Sequence, residues 1–278
     1  MQLGDIEILP LSDGTFRVDG GAMFGVVPKA LWEKTNPPDG ANRILLELNT
    51  LLIRTENKNI LVETGMGERG GEKFQSIYSM DRTVNLKKSL SGAGLKEEDI
   101  DIVINTHLHF DHAGGNTATG LDGALRPAFP KARYIVQKGE FERALRPDEL
   151  TKGSYRAGDF MPIKEAGLLE LVEGDKEIAE GVSVIRAPGH TRDIQLVRVD
   201  SGGKTALFLS DAIPMTAHLK YPYIAGYDLY PLDTLRTKKE IIREAAAGRW
   251  LLFFYHDPAA IAGYVSLRDG SPVFEKVL

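Results

Sequence analysis

The chain has 278 residues, 42% hydrophobic and 26% charged, with a formal net charge of −5 and no cysteine. That balance excludes a disordered, collagen-like or coiled-coil chain, and the absent cysteine excludes disulfides, iron–sulfur clusters, thiolate metal sites and a cysteine nucleophile. The acidic charge argues against a nucleic-acid partner, which needs a basic surface to neutralise phosphates.

No apolar run approaches the ~20 residues needed to cross a bilayer, so no membrane partner is expected. Met1 to Glu7 has neither a basic stretch nor an apolar one, which reads as a cytoplasmic protein without a signal peptide. Ile6 to Leu11 alternates apolar and polar residues as a strand does. Ile44 to Arg54 and Asn59 to Glu63 form a hairpin pattern around Glu56-Asn57-Lys58, followed by the turn Thr64-Gly65-Met66-Gly67. Leu86 and Leu90 predict a short helix stopping near Gly92 and Gly94. Ile100 to Asn105 and Ala132 to Gln137 are apolar strands, the second followed by a helix through Glu140 to Leu145. Val182 to Arg186 and Ala206 to Leu209 are further strands. The clearest helix is Thr234 to Ala247, with Asp233 as its N-cap and Gly248 as a left-handed C-cap, before the strand Trp250 to Tyr255. This is a mixed α/β chain: a single domain over residues 1–278, in two halves meeting near residue 150.

Of the six histidines, three fall in Asn105-Thr106-His107-Leu108-His109-Phe110-Asp111-His112-Ala113-Gly114-Gly115. An isolated histidine is ordinarily structural; three in six positions beside a carboxylate are not explained that way. Just past a strand, His107 and His109 project the same way. Asp111 and His112, being adjacent, point apart and suit a second ion beside the first. Leu108 and Phe110 face away and anchor the loop, while Gly114 and Gly115 permit torsions that larger residues resist. Imidazole and carboxylate donors suit zinc, and also iron or manganese. His190, Asp211 and His256 each follow an apolar strand in the same way, where open sheets place ligand sites.

The pattern His107-x-His109-x-Asp111-His112, then His190, Asp211 and His256, resembles the metallo-β-lactamase superfamily. The resemblance implies an αββα sandwich of two mixed β-sheets flanked by helices, with the two halves pseudo-symmetric. It places His107, His109 and His190 around one divalent ion, and Asp111, His112 and His256 around another. Asp211 would join the two, with a bridging hydroxide as nucleophile. The local text looks most like the branch of quorum-quenching lactonases and methyl-parathion-type hydrolases. That implies a binuclear metal-dependent hydrolase of a small ester, lactone or phosphoester, with zinc as the first choice of ion. The alternatives are a mononuclear iron dioxygenase of the persulfide dioxygenase type and a non-catalytic metal-binding protein.

Two departures from the lactonase pattern stand out. The tyrosine expected three residues after the bridging aspartate is Pro214, and the family's Asp-Thr-Gly turn reads Glu63-Thr64-Gly65. Glu63 is expected to orient a ligand histidine with one extra methylene of reach. His218 has no metal to serve and is expected to supply the missing acid beside Asp111. Met23, Phe24, Val26 and Val27 in a Gly-rich loop, with Phe110 and the tyrosines Tyr221, Tyr223, Tyr227 and Tyr230, are expected to line the pocket of a small-molecule substrate. The oligomeric state is left open, a homodimer included.

Overall fold

Residues 1–278 are described by a computed structural model. In chain order the strands are β1 (Gln2–Leu3), β2 (Ile6–Asp19), β3 (Arg43–Arg54), β4 (Asn59–Val62), β5 (Ile102–Ile104), β6 (Thr117–Thr119), β7 (Leu125–Pro127), β8 (Arg133–Gln137) and β9 (Leu169–Val172). They continue with β10 (Lys176–Ala179), β11 (Val182–Arg186), β12 (Gln195–Ser201), β13 (Lys204–Phe208), β14 (Leu251–Phe253), β15 (Ala262–Arg268) and β16 (Ser271–Lys276). One seven-stranded sheet has the order β1-β2-β3-β4-β5-β8-β9 and the other runs β10 through β16, while β6 and β7 make a small ribbon. Both large sheets are mixed. The first turns parallel at β4–β5, β5–β8 and β8–β9, and the second has one parallel step, β13–β14.

Side chains alternate across a strand, and here the alternation sorts the apolar residues into layers. Leu51 and Ile53, Ile60 and Val62, and Ile102 and Ile104 face a central core that also takes Val197, Phe208, Leu251 and Phe253 from the second sheet. Their neighbours Leu52, Leu61 and Val103 face the opposite way and pack on Leu86 and Leu90 of the helix Leu86–Gly92. On the second sheet Leu207 and Leu252 face outward onto Ile241, Ile242 and Ala245 of the helix Pro231–Gly248. The result is four layers, helices outside and two sheets inside, sharing one core between the sheets. No helix is long and apolar enough to cross a membrane.

Three expectations change. The two sheets part between Val172 and Lys176, not near residue 150, because β9 returns to pair parallel with β8. The first long strand runs on to Asp19, its register shifting between Ser12 and Thr15. The last helix starts at Pro231, whose fixed φ and missing N–H suit a first helical position. Asp233 therefore lies inside the first turn, paired with Arg236, and the left-handed cap is Arg249. Gly248 is small for another reason: a Cβ there would lie 2.3 Å from Nε1 of Trp250.

Candidate metal centre

Each predicted ligand lies three or four residues beyond the carboxyl end of a strand, or in the loop that follows. His107 comes after β5, His190 after β11, Asp211 after β13 and His256 after β14. The loop after β5 then turns into the short helix Phe110–Ala113, capped on His109, which carries Asp111 and His112. Gly114 and Gly115 allow this loop to lie against the 64–66 turn. Their φ is not positive, contrary to the expectation of special torsions; a Cβ would instead meet the carbonyl oxygens of Met66 and Thr64 at 2.2 and 2.1 Å.

The structure brings all seven side chains together. For four of the five histidines the Nδ1 atom is already engaged. That of His107 lies 3.0 Å from Thr106 Oγ1, that of His112 3.1 Å from Glu63 Oε1, that of His190 2.9 Å from Asp228 Oδ1 and that of His256 3.0 Å from the Glu47 carbonyl. Their Nε2 atoms converge on Asp211. Oδ2 lies 3.9 Å from His107, 3.4 Å from His112 and 3.3 Å from His190, while Oδ1 lies 3.3 Å from His256. Asp111 Oδ2 sits 3.5 Å from His256 Nε2 and 3.8 Å from His112 Nε2. His109 enters by its other nitrogen, with Nδ1 3.0 Å from His190 Nε2. The ligand atoms gather as His107-His109-His190 and as Asp111-His112-His256.

These residues fit cations. His107 Nε2, His112 Nε2 and Asp211 Oδ1 are buried without a hydrogen-bond partner, an arrangement that costs free energy unless something satisfies them. Burial, then the neighbouring imidazoles, holds His107 and His109 well below the ordinary histidine value, so both offer lone pairs. Burial raises the Asp211 carboxyl, but His112, His256 and His190 outweigh it and keep Asp211 ionised. At His112 burial works against charge and is outweighed by Asp211, Asp111 and Glu63, which push the imidazole well above its usual range. Three carboxylates around one buried imidazole call for positive charge there. Two divalent cations would supply it.

Glu63 lies where it can orient His112. It is fully buried, sits at φ 63°, and also accepts from the Thr106 backbone N–H at 3.2 Å. Ser210, directly before Asp211, has φ 45° and a hydroxyl 2.6 Å from Thr106 Oγ1. Non-glycine residues in the left-handed region are uncommon and cluster at functional sites.

A cavity of about 380 Å³ opens beside the ligands, walled by Phe110, Met23, Tyr78, Leu150 and Tyr227. Six residues expected at the substrate side need correction. His218 is buried away from it, its Nε2 2.9 Å from the Met23 carbonyl and its ring stacked on Phe24 at 5.0 Å. Burial pushes its pKa down to about 4, so the neutral ring donates to that carbonyl. Phe24 is sandwiched between His218 and Trp32 and meets Tyr223 edge-on, so both aromatics are core. Tyr221 packs beside the last helix under the Lys239 ammonium. Val26, expected beside them, is almost fully exposed, and Val27 is core. A larger hollow near Ser12, Glu47 and Asp81 contains no ligand cluster.

Of the tyrosines expected at the pocket, Tyr227 lines the cavity; sequence reading missed Asp228, Tyr78, Leu150 and Glu140. Asp228 is 38 positions from its partner His190, and only the backbone bonds from Leu229 and Tyr230 to His190 and Gly189 bring the two together. No local pattern could have signalled that. The other three lie in helices or loops whose facing depends on the assembled fold.

Four layers with five histidines and two aspartates gathered at the strand ends are the arrangement of a metal-dependent hydrolase. The sequence model of the metallo-beta-lactamase superfamily matches residues 45–256, and the chain belongs to that superfamily. An N-acyl homoserine lactonase of Bacillus sp is 29% identical over 222 residues, covering 74% of this chain and 79% of that protein. The N-acyl homoserine lactonase AttM of Rhizobium radiobacter is 28% identical over 276 residues, covering 94% and 96%. A crystal structure of a probable metal-dependent hydrolase from Staphylococcus aureus superposes with a TM-score of 0.91 at 31% identity, covering 100% of both chains.

Proposed function

We propose that this chain opens lactone rings bearing an uncharged, largely apolar substituent, using two zinc ions. The observation that carries this reading is the convergence of four imidazole Nε2 atoms on Asp211, those of His107 and His112 buried and unpartnered, beside the cavity of about 380 Å³. Two of the relatives described above are N-acyl homoserine lactonases, which supports a lactone as the electrophile. The cavity wall includes no lysine or arginine, and its carboxylates Asp111, Asp211 and Asp228 all face histidines. Nothing there would hold a charged substituent, whereas Phe110, Met23 and Leu150 would bury an apolar one.

His107, His109 and His190 would hold one cation, Asp111, His112 and His256 the other, with Asp211 between them. Bound divalent cations supply Lewis acidity and make water nucleophilic near neutral pH. The residues do the rest. Asp111, on the cavity side and less buried than the imidazoles, receives the proton of the attacking water on Oδ1, the oxygen not turned to His112 and His256. It returns that proton to the ring oxygen as the acyl C–O bond breaks. Tyr227 is pushed up to about 12 by burial and by Tyr78 and Asp111, so its phenol stays protonated and can hold a substrate oxygen. This supplies a donor although Pro214 has none; its carbonyl instead accepts from the His256 backbone N–H. A single-ion or non-catalytic reading leaves Asp111, His112 and His256 gathered without a role.

Metal analysis of the purified protein, coupled to assays on lactones, aryl esters and phosphotriesters, tests the proposal. Two equivalents of metal per chain and fastest turnover on alkyl-substituted lactones are expected, with activity lost to chelator and restored by zinc. One iron per chain with oxygen uptake on a thiol substrate would overturn it, as would a two-metal protein inert to every lactone.

A further inference from the structure

Both ligand clusters are braced by groups that touch their members directly, and in the His107-His109-His190 cluster these are Thr106 on His107 and Asp228 on His190. In the Asp111-His112-His256 cluster they are Glu63 on His112, the Glu47 carbonyl on His256, and the Tyr255 hydroxyl on the Asp111 carbonyl at 2.5 Å. Behind the other cluster lies a second buried carboxylate, Glu140, in the helix Lys138–Leu145 that follows β8. It is 1% exposed and has no cationic side chain bonded to it. Its Oε1 accepts from the Leu108 backbone N–H at 3.1 Å and from the Tyr155 hydroxyl at 2.9 Å, and its Oε2 accepts from the Thr191 hydroxyl at 2.7 Å.

Those three partners each adjoin a ligand of one cluster. Leu108 lies between His107 and His109, and Thr191 follows His190. The Tyr155 ring packs edge-on against His109 at 4.8 Å, and its backbone bridges to His109. None of the three adjoins Asp111, His112 or His256. Gly139 permits the approach, because a Cβ there would lie 2.3 Å from Asp193 Oδ2 in the loop after His190. A carboxyl group is costly to bury, and burial pushes Glu140 up against its donors Thr191, Leu108 and Tyr155, yet it is retained where it ties two separate ligand loops to a third segment.

We propose that Glu140 is a positioning residue that sets the cation affinity of the His107-His109-His190 cluster without setting that of the other. It touches no ligand imidazole. It acts by fixing the loops from which three imidazoles project. Outer partners of metal ligands typically contribute about 10–100-fold to affinity.

The test is graded chelator competition on the zinc-loaded protein, comparing the unaltered chain with Glu140→Ala and Glu140→Gln, alongside thermal melts of each metal-free form. In Glu140→Ala one of two equivalents is expected to weaken by about 10–100-fold and the other to hold. Cobalt substitution should show the altered absorption in the weakened equivalent only. Glu140→Gln should be intermediate, since its amide oxygen still accepts from Leu108 and Tyr155 while its NH2 no longer accepts from Thr191. Should Glu140→Ala not fold, Glu140→Gln and Tyr155→Phe are read in its place. Equal weakening of both equivalents, or of neither, overturns the proposal. The inference rests on the two-cation reading, which the unaltered chain tests by itself: fewer than two equivalents there overturns that reading and this one together, whereas two equivalents with unselective variants overturns this one alone.

Discussion

Two loops follow strand ends and carry histidines, yet they are used in opposite ways. In the stretch from Asn105 to Asn116 every polar side chain is turned to the centre or braces one that is: Thr106 braces His107, and Asn105 and Asn116 bond each other beside Glu63. In the stretch from Pro214 to Tyr230, His218 and Tyr223 turn inward instead. Lys238 explains the difference. It is 1% exposed, and its ammonium donates to the carbonyls of His218, Lys220 and Tyr223 at 3.0, 3.1 and 2.6 Å. One buried cation winds the second loop about the last helix, and the side chains it carries become packing. Burial pushes that lysine down to about 8, the cost of folding a loop around an ammonium. Only near the far end of this stretch do side chains reach the site, Asp228 on His190 and Tyr227 in the cavity wall.

The largest effect on turnover is expected at Asp211, where both clusters meet. Asp211→Asn keeps the shape and removes the charge that faces His107, His112, His190 and His256. Electrostatic stabilisation at such a centre is worth several kcal/mol, so turnover should fall on the order of 10³-fold, with metal content dropping below two equivalents by elemental analysis. Full metal content and near-normal turnover would mean that the two clusters do not share a carboxylate.

Glu63 comes next. Glu63→Gln replaces an oxygen by an NH2 group among donors only: the Thr106 N–H and hydroxyl, the Asn105 amide and His112. Affinity for the cation at Asp111-His112-His256 should fall by about tenfold or more, read by the same chelator competition that tests Glu140. If both variants weaken the same equivalent, the separation between the two clusters is lost.

These two predictions concern residues of which one part was legible in the sequence and the other was not. The ligand set could be read because metal chemistry needs several rare side chains at once, and each fell after a strand that its own apolar run announced. The layers could be read for the same reason, since Leu51-Leu52-Ile53 and Leu251-Leu252-Phe253 are buried on both faces. The cavity wall could not. An aromatic residue in a loop has no periodicity to say which way it faces, and Phe24, Tyr221 and Tyr223 went to packing while Phe110, Tyr78 and Tyr227 went to the wall. Glu140 was hidden because a helix of ordinary composition gives no sign that one glutamate points inward.

A narrower effect separates wall from packing. Phe110→Ala should raise KM for an alkyl-substituted lactone about thirtyfold, matching the ~2 kcal/mol of one buried phenyl ring, and leave an unsubstituted lactone little changed. Steady-state kinetics on the two substrates reads the contrast. Equal losses on both would place Phe110 with the loop anchors.

The smallest effect on turnover is expected at His218, and there the informative quantity is stability. His218→Gln keeps a donor for the Met23 carbonyl and removes the titrating ring, so turnover at neutral pH should stay close to that of the unaltered chain. The unfolded imidazole takes its proton near 6.5 and the folded one only near 4. Between those values the unfolded chain binds the extra proton, so this residue's contribution is whole above about pH 6.5 and is lost as pH falls toward 4. Denaturant melts of the metal-free protein should show His218→Gln losing about 2 kcal/mol less than the unaltered chain between about pH 7 and pH 5. The other five histidines are common to both proteins, so the difference between the two curves isolates this ring. A large loss of turnover with no change in that difference would return His218 to the substrate side, and the contrast between the two loops would then fail at the residue that defines it.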